Sequence, residues 1–260
     1  MKTRIVVNPE YTRCQDFVNR LPSLFEAQGV TLYAKRNVVK RFELSNGTPL
    51  IVKRFKSPNL AQRIACTLYH PSKARKAYEN AAEYLRRGID TPRPVAYIEL
   101  SRQGFFHQAY FVSTENDSPD CRVLLDMAHA KWEPLAAAFV QFLVEMHEKG
   151  ALHGDTNLSN FLFREQPDGT YSFSVIDTNR TRFVAGVPSK QDCLLNLMRL
   201  THEEAVLAAL VGRYAELRGW EWEGAVRFVL DALHRFQKRN DMKHVFKHLK
   251  RWWRAKCGKC

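Results

Sequence analysis

The sequence of 260 residues has no uninterrupted apolar run near the roughly 18 residues that a membrane-spanning helix needs, which excludes a spanning helix. Its opening segment, MKTRIVVNPEYTR, lacks the apolar stretch of a secretory signal, so the expectation is a cytoplasmic protein. There is no internal repeat and no low-complexity tract, which excludes solenoid and disordered classes. Cys14, Cys66, Cys121 and Cys193 stand singly, a pattern unlike a disulfide framework, and are expected as reduced, packed thiols. Cys257 and Cys260 have metal-ligand spacing, but no second cysteine pair accompanies them, so they read as a ligand-free tail. Acidic residues are scarce: 27 Asp and Glu stand against 40 Lys and Arg, for a formal net charge of +13. A charge of that size points to a polyanionic partner, whether nucleic acid, an anionic lipid surface or a phosphorylated substrate.

The length fits one large domain or two lobes sharing a cleft, and an apolar content of 45% is that of an ordinary globular chain. The segments 32–44 and 48–55 are rich in Val, Ile and Phe, and Ser45-Asn46-Gly47 between them predicts a hairpin. Leu60, Ala61, Ile64, Ala65 and Leu68 recur at helical spacing. A second helix is expected from about Lys73 to Arg87, capped by Ser72 and ended by Gly88, with Ala74, Ala77, Tyr78, Ala81 and Leu85 as its apolar stripe. Residues 94–100 and 105–114 read as another strand pair. The polar stretch Asn116–Asp120 marks a boundary, so residues 1–115 are expected as a strand-rich lobe and 116–260 as a mainly helical one. In the second lobe, Pro134–Lys149 is an amphipathic helix, 171–177 a short strand ending in an acid, and the chain from Lys190 mostly helical. Thr201 and Glu204 suggest a capping box, and Asn240 a cap for a last helix.

Residues 152–163, LHGDTNLSNFLF, crowd His153, Gly154, Asp155 and Asn160 between apolar residues. A turn stabilised by backbone hydrogen bonds would explain Asp155 and Asn160 alone. However, a long apolar helix leads in, His153 stands two residues before Asp155, and a third polar group, Asp177, closes a strand about one hairpin later. Two carboxylates and an amide on adjacent loops offer the hard oxygens that Mg²⁺ prefers and leave one carboxylate to accept a proton.

His153-Gly154-Asp155 with Asn160 resembles the H-R-D-x-x-x-x-N catalytic loop of protein-kinase-like folds, with Gly for Arg. Val175-Ile176-Asp177 resembles the strand that delivers the metal-binding Asp of D-F-G, here Asp177-Thr178-Asn179, and Leu50-Ile51-Val52-Lys53 the strand with the phosphate-binding Lys. Together with residues 72–99, these motifs resemble the bacterial lipopolysaccharide core kinase (Kdo/WaaP) family, from about Arg36 to about Leu200. The resemblance implies an α+β, bilobal protein-kinase-like fold with a small antiparallel-sheet N-lobe and a mainly helical C-lobe. It implies a kinase using ATP and Mg²⁺ to phosphorylate a sugar hydroxyl of the lipopolysaccharide inner core or lipid A, with Kdo the expected acceptor and heptose next. Asp155 would be the catalytic base, Asn160 and Asp177 the metal ligands, and Lys53 the nucleotide-phosphate ligand; His153 reads as structural. Glu79 and Glu83 are candidates to pair with Lys53. Helical geometry turns both toward solvent, at roughly 140° and 180° from the stripe, and the family-like run Tyr78-Glu79-Asn80-Ala81 selects Glu79.

The phosphate-covering turn, Ala34–Val38, has no glycine, which leaves Lys35, Arg36 or Asn37 to contribute side chains. Arg180 and Arg182 are either ligands for an anionic acceptor or a solvated basic loop, and Asp192 either anchors the catalytic loop or serves its own helix dipole. Val245, Phe246, Leu249, Trp252 and Trp253 share one helical face ringed by Lys and Arg. That face either docks on the second lobe or meets an anionic membrane, giving a peripheral location at the inner face of the cytoplasmic membrane. An anionic glycolipid is therefore the expected partner, and no nucleic acid. Three rivals remain: an aminoglycoside-type small-molecule phosphotransferase, a RIO-like protein kinase, and a scaffold without activity.

Overall fold

The computed structural model describes residues 2–57, 63 and 71–257, with side chains described to residue 242. Cα packing divides the chain into two compact units. Unit 1 comprises Met1–Cys121, His153–Asp155 and Ser159–Phe183, and unit 2 comprises Arg122–Leu152, Thr156–Leu158 and Val184–Cys260. The chain thus passes between units several times, whereas the sequence places one boundary at 115/116. The helix expected over Leu60–Leu68 lies outside the described residues.

Unit 1 is built on a six-stranded antiparallel sheet in the order β1-β5-β6-β4-β3-β2. The strands are β1 (Lys2–Val7), β2 (Val30–Ala34), β3 (Val38–Glu43), β4 (Pro49–Arg54), β5 (Pro94–Arg102) and β6 (Phe105–Thr114). Period-two alternation sorts the side chains of β4. Leu50 and Val52 enter a core with Phe42, Ile98, Tyr110 and Val112 under helix α1 (Gln15–Leu24), while Ile51 and Lys53 face a cavity on the opposite side. Lys40, 8% exposed, fastens α1 to the sheet: its ammonium donates to the carbonyls of Phe25 (2.6 Å) and Gln28 (2.9 Å) just past the helix end, where a cation is favoured.

Helix α2 (Lys73–Arg86) covers the second face of the sheet. As expected, Ser72 caps it, its Oγ accepting from the Arg75 N–H at 3.1 Å. Ala74 and Ala77 are small enough to let the helix close on Phe55, Tyr97 and Ala109. The buried face is Ala74, Ala77, Ala81 and Tyr84, turned slightly from the predicted stripe toward Tyr84. A hairpin of β7 (Phe161–Glu165) and β8 (Tyr171–Val175) completes unit 1.

Unit 2 holds α3 (Trp132–Glu148), α4 (Lys190–Leu197), α5 (Glu204–Leu217) and α6 (Trp222–Cys257). Of the face predicted for α3, Leu135, Phe139, Leu143 and Met146 are buried and Phe142 is half-buried. Asn240 caps nothing: α6 runs through it without a break. Thr201 forms no capping box either; its Oγ1 accepts from the Glu203 N–H at 3.1 Å, and the helix starts at Glu204. The face predicted from Val245 to Trp253 lies on side chains outside the described residues, as does Cys260. No described helix is long and apolar enough to cross a membrane.

Candidate active site

The site grows from three segments, and the side chains that form it belong to unit 1. The first is β4, which delivers Lys53 to the wall of a cavity of about 610 Å³. The second is the end of β8, after which Asp177 adopts a left-handed conformation, φ 58° and ψ 45°. Aspartate is one of the few residue types that adopts that region readily. This turn points the carboxylate back at the sheet, and Lys53 Nζ meets Asp177 Oδ1 at 2.7 Å. Asn179 donates to the same oxygen. Asp177 Oδ2 has no partner among the described residues. Burial pushes the Asp177 carboxyl up, but the Lys53 charge and hydrogen bond, with smaller help from His153 and Arg180, hold it below the usual carboxylate range.

The third segment is the 153–160 loop. Asn160 donates its Nδ2 to the Asp155 carbonyl at 2.8 Å, and its own carbonyl accepts from the Ile176 N–H at 2.9 Å. One residue therefore closes the loop and ties it to the strand that carries Asp177. Asn160 lines the same cavity as Lys53 and Asp177. His153 is fully buried; its Nε2 donates to the Ile176 carbonyl at 2.9 Å and its Nδ1 accepts from the Asp155 N–H at 3.2 Å. Both bonds suit a neutral imidazole, and burial pushes its pKa down. His153 is thus a brace, as its sequence position suggests. Asp155 is half-buried, with Arg180 Nη1 at 3.2 Å from its Oδ2. The loop's middle, Thr156–Leu158, belongs to unit 2, where Thr156 Oγ1 donates to the Asn196 carbonyl and the Leu158 N–H to the Leu200 carbonyl at 3.0 Å. Asp192 sits in the first turn of α4, where Ser189 both caps the helix and meets its carboxylate at 3.0 Å.

The structure brings Lys53, Asn160 and Asp177 to one cavity wall, with Asp155 joined to Asn160. It does not bring Glu79. The expected Lys53 partner instead pairs with Arg75, one turn back, at 2.7 Å, and its side chain is 47% exposed. From the observed buried face of α2, Glu79 lies roughly 180° away. Glu83 is no substitute, since it binds Arg86 and Arg87, which hold its carboxyl down to about 2. The cation at Lys53 is neutralised by Asp177.

What α2 does contribute was not read from the sequence. Asn80 donates to the Thr178 carbonyl at 2.7 Å, the Ala77 carbonyl accepts from Thr178 Oγ1 at 3.0 Å, and Tyr84 Oη meets Thr181 Oγ1 at 3.1 Å. Thr91 adds a bond to the Val175 carbonyl at 2.6 Å. These groups fix the turn after Asp177. The only signal in the sequence was a Tyr and an Asn bordering an alanine stripe, where a free-standing helix would carry charges.

The cavity's far wall is the chain leaving β6. Glu115 there binds Arg41 at 2.8 Å, and neither Glu115 nor Asn116 makes a backbone hydrogen bond to another described residue. Leu32, Tyr33 and Asn37 of the β2–β3 hairpin lie over the cavity, Asn37 Oδ1 accepting from the Lys56 N–H at 3.1 Å.

Among solved structures, the chain is similar to one described as WaaP in complex with acyl carrier protein, at 16% identity and a TM-score of 0.57 over 92% of this chain and 98% of that one. It is also similar to the amicoumacin kinase hAmiN in complex with AMP-PNP, Ca²⁺ and Ami, at 12% identity and a TM-score of 0.55 over 86% of each chain. At these identities the likeness establishes the protein-kinase-like fold. No curated protein matches the chain. The model of the lipopolysaccharide kinase (Kdo/WaaP) family matches residues 65–208, more than half of the chain and inclusive of the 153–160 loop and Asp177. The chain belongs to the lipopolysaccharide kinase (Kdo/WaaP) family and is a phosphotransferase with a hydroxyl acceptor.

Proposed function

We propose that this protein transfers the γ-phosphoryl group of ATP to a hydroxyl of Kdo in the lipopolysaccharide inner core. The observation that carries the reading is the opposed pair Lys53–Asp177, 2.7 Å apart on the wall of a nucleotide-sized cavity that Asn160 also lines. Lys53 would bind α- and β-phosphate oxygens. The unbonded backbone groups of Glu115 and Asn116 suit the edge of a purine. Asp155 would orient the acceptor hydroxyl and take its proton, a contribution of roughly 10²–10⁴ in rate. The donor set fits Mg²⁺: Asp177 Oδ2 and Asn160 Oδ1 are hard oxygens left over after the other polar atom of each side chain is engaged. When bound there, the ion would supply charge neutralisation to the nucleotide phosphates.

The acceptor and the location belong to the same proposal. An anionic glycolipid suits a chain of net charge +13, and peripheral contact with the inner face of the cytoplasmic membrane would present it. The similar WaaP structure contains an acyl carrier protein, and a protein partner for this chain is proposed on that likeness.

The test is transfer of label from γ-labelled ATP to lipid A carrying Kdo, to lipid A without it, and to an aminoglycoside. Label only on the Kdo-bearing lipid is expected. Label on the aminoglycoside alone would move the protein to the small-molecule class.

A further inference from the structure

Phosphoryl transfer gathers negative charge on the oxygens of the group in flight, and enzymes place Arg, Lys or metal ions against it. The catalytic loop of this chain, Asp155-Thr156-Asn157-Leu158-Ser159-Asn160, contains no Lys or Arg. A guanidinium nevertheless stands there. Arg180 Nη1 lies 3.2 Å from Asp155 Oδ2, and the same charge helps to lower the pKa of Asp177. Arg180 is 44% exposed, and a single Nη atom of its five-donor fork is engaged by Asp155. It reaches this position because the turn after Asp177 is bound to α2 through Asn80, Ala77 and Tyr84. Gly154 makes the approach possible. A Cβ at that residue would collide with the Arg180 carbonyl oxygen and stand 2.9 Å from Arg180 Cβ. Glycine in the His153-Gly154-Asp155 sequence is thus the complement of an arginine arriving from the next segment.

We infer that Arg180 is a catalytic residue that contacts the transferred phosphoryl group, reaching it from the turn after Asp177 across Gly154. The inference rests on the phosphotransfer reading above. In the step, the acceptor O–H bond breaks and its proton passes to an Asp155 carboxylate oxygen. The acceptor oxygen bonds to the γ-phosphorus, and the bond from that phosphorus to the β,γ-bridging oxygen breaks, leaving its electron pair on the nucleoside diphosphate. Arg180 exchanges neither proton nor electrons; its fork neutralises the peripheral oxygens while its Nη1 keeps Asp155 in line.

The experiment uses the full chain, wild type against Arg180→Gln and Arg180→Lys. Unfolding temperature is read with ADP and Mg²⁺, then with aluminium fluoride added as a planar phosphoryl mimic. Wild type is expected to be stabilised by ADP and further by the fluoride complex. Arg180→Gln should keep the ADP increment and need at least roughly tenfold more aluminium fluoride for the second, with Arg180→Lys between them. Label transfer should fall by about 10²–10³ in kcat for Arg180→Gln, with the acceptor KM within about threefold. Free guanidinium should restore part of the activity to Arg180→Ala, which also tests the case in which Gln disturbs folding. Equal fluoride response in wild type and Arg180→Gln would overturn the inference and leave the kinase reading intact. A loss confined to acceptor KM would overturn it in favour of an acceptor-binding arginine. A wild type that gains nothing from ADP would overturn both readings.

Discussion

His147 and His153 are both fully buried, both have lowered pKa values, and both lie near the catalytic loop in sequence, yet the units that hold them use polar groups in different ways. In unit 2, His147 Nε2 donates to Asn196 Oδ1 at 3.0 Å and its Nδ1 accepts from Tyr214 Oη at 2.7 Å, linking α3, α4 and α5. These three side chains are neutral, and the Arg218 guanidinium reaches the Tyr214 hydroxyl from the end of α5 at 3.5 Å. Burial pushes His147 down to about 4 and the Tyr214 phenol up. In unit 1, His153 braces a site of opposed ions, Lys53 with Asp177 and Arg180 with Asp155, each half-open to solvent. The unit 2 network is centred on neutral groups and holds structure. In unit 1 the ions are paired at a cavity, and the function proposed above gives them a charged ligand to meet. The contrast follows from desolvation: a dry ion pair contributes little net stability, whereas a site that binds phosphates must keep charge accessible.

The comparison can be broken first at the ion pair. Lys53→Met and Asp177→Asn should each abolish stabilisation by Mg²⁺-nucleotide in thermal unfolding and cut label transfer by at least about 10³-fold. The ligand-free unfolding temperature should move far less. Retained nucleotide stabilisation in both variants would show that the pair is structural. The converse experiment lies in unit 2. His147→Ala removes the imidazole that links Tyr214 Oη to Asn196 Oδ1, at a cost of about 3 kcal/mol in denaturant unfolding, while kcat per folded molecule stays within about threefold.

A pH series sharpens the contrast further. An unfolded histidine titrates near 6.5 and folded His147 near 4, so its contribution is complete above about 6.5 and disappears as pH falls toward 4. By pH 5 this amounts to about 2 kcal/mol. His153 acts in the same direction. The lowered Asp177 carboxyl adds its loss only at lower pH, below the ordinary carboxylate range. Unfolding temperatures from pH 7.5 to 5 should therefore fall, and fall less in His147→Gln. A flat wild-type profile would contradict the assignment of neutral, buried imidazoles. The smallest effect is expected from Glu79→Gln, which removes one exposed i,i+4 pair with Arg75, under about 0.5 kcal/mol. Label transfer should be unchanged. A tenfold loss would mean that Glu79 reaches Lys53 during turnover.

Much of this arrangement was legible in the sequence, for identifiable reasons. The Val-, Ile- and Phe-rich run at 48–55, the Asn46-Gly47 turn and the Ser72 cap are local signals, and the strand, hairpin and helix follow them. Lys53, Asn160 and Asp177 were singled out by residue type at the ends of their elements, and the structure gathers them at one cavity, with Asp155 hydrogen-bonded to Asn160. Glu79 was chosen on the family-like run against a helical geometry that already turned it to solvent, and the packed face turns it further away because it includes Tyr84, whose hydroxyl meets Thr181, 97 positions away. The Arg180–Asp155 contact and the Gly154 approach were beyond reach for the same reason: close contacts between segments depend on register in space. Strand β1 and the Lys40 cap on α1 also escaped, since three of the six β1 residues are exposed and a lysine in a strand reads as surface.

The most direct measurement is a pair of readings on Asp155→Asn. Thermal stabilisation by Mg²⁺-nucleotide should match wild type, while label transfer from γ-labelled ATP to Kdo-bearing lipid A should fall by about 10²–10⁴-fold. Transfer at the wild-type rate by that variant would contradict the account, because the carboxylate that Arg180 meets would then have no part in the chemistry.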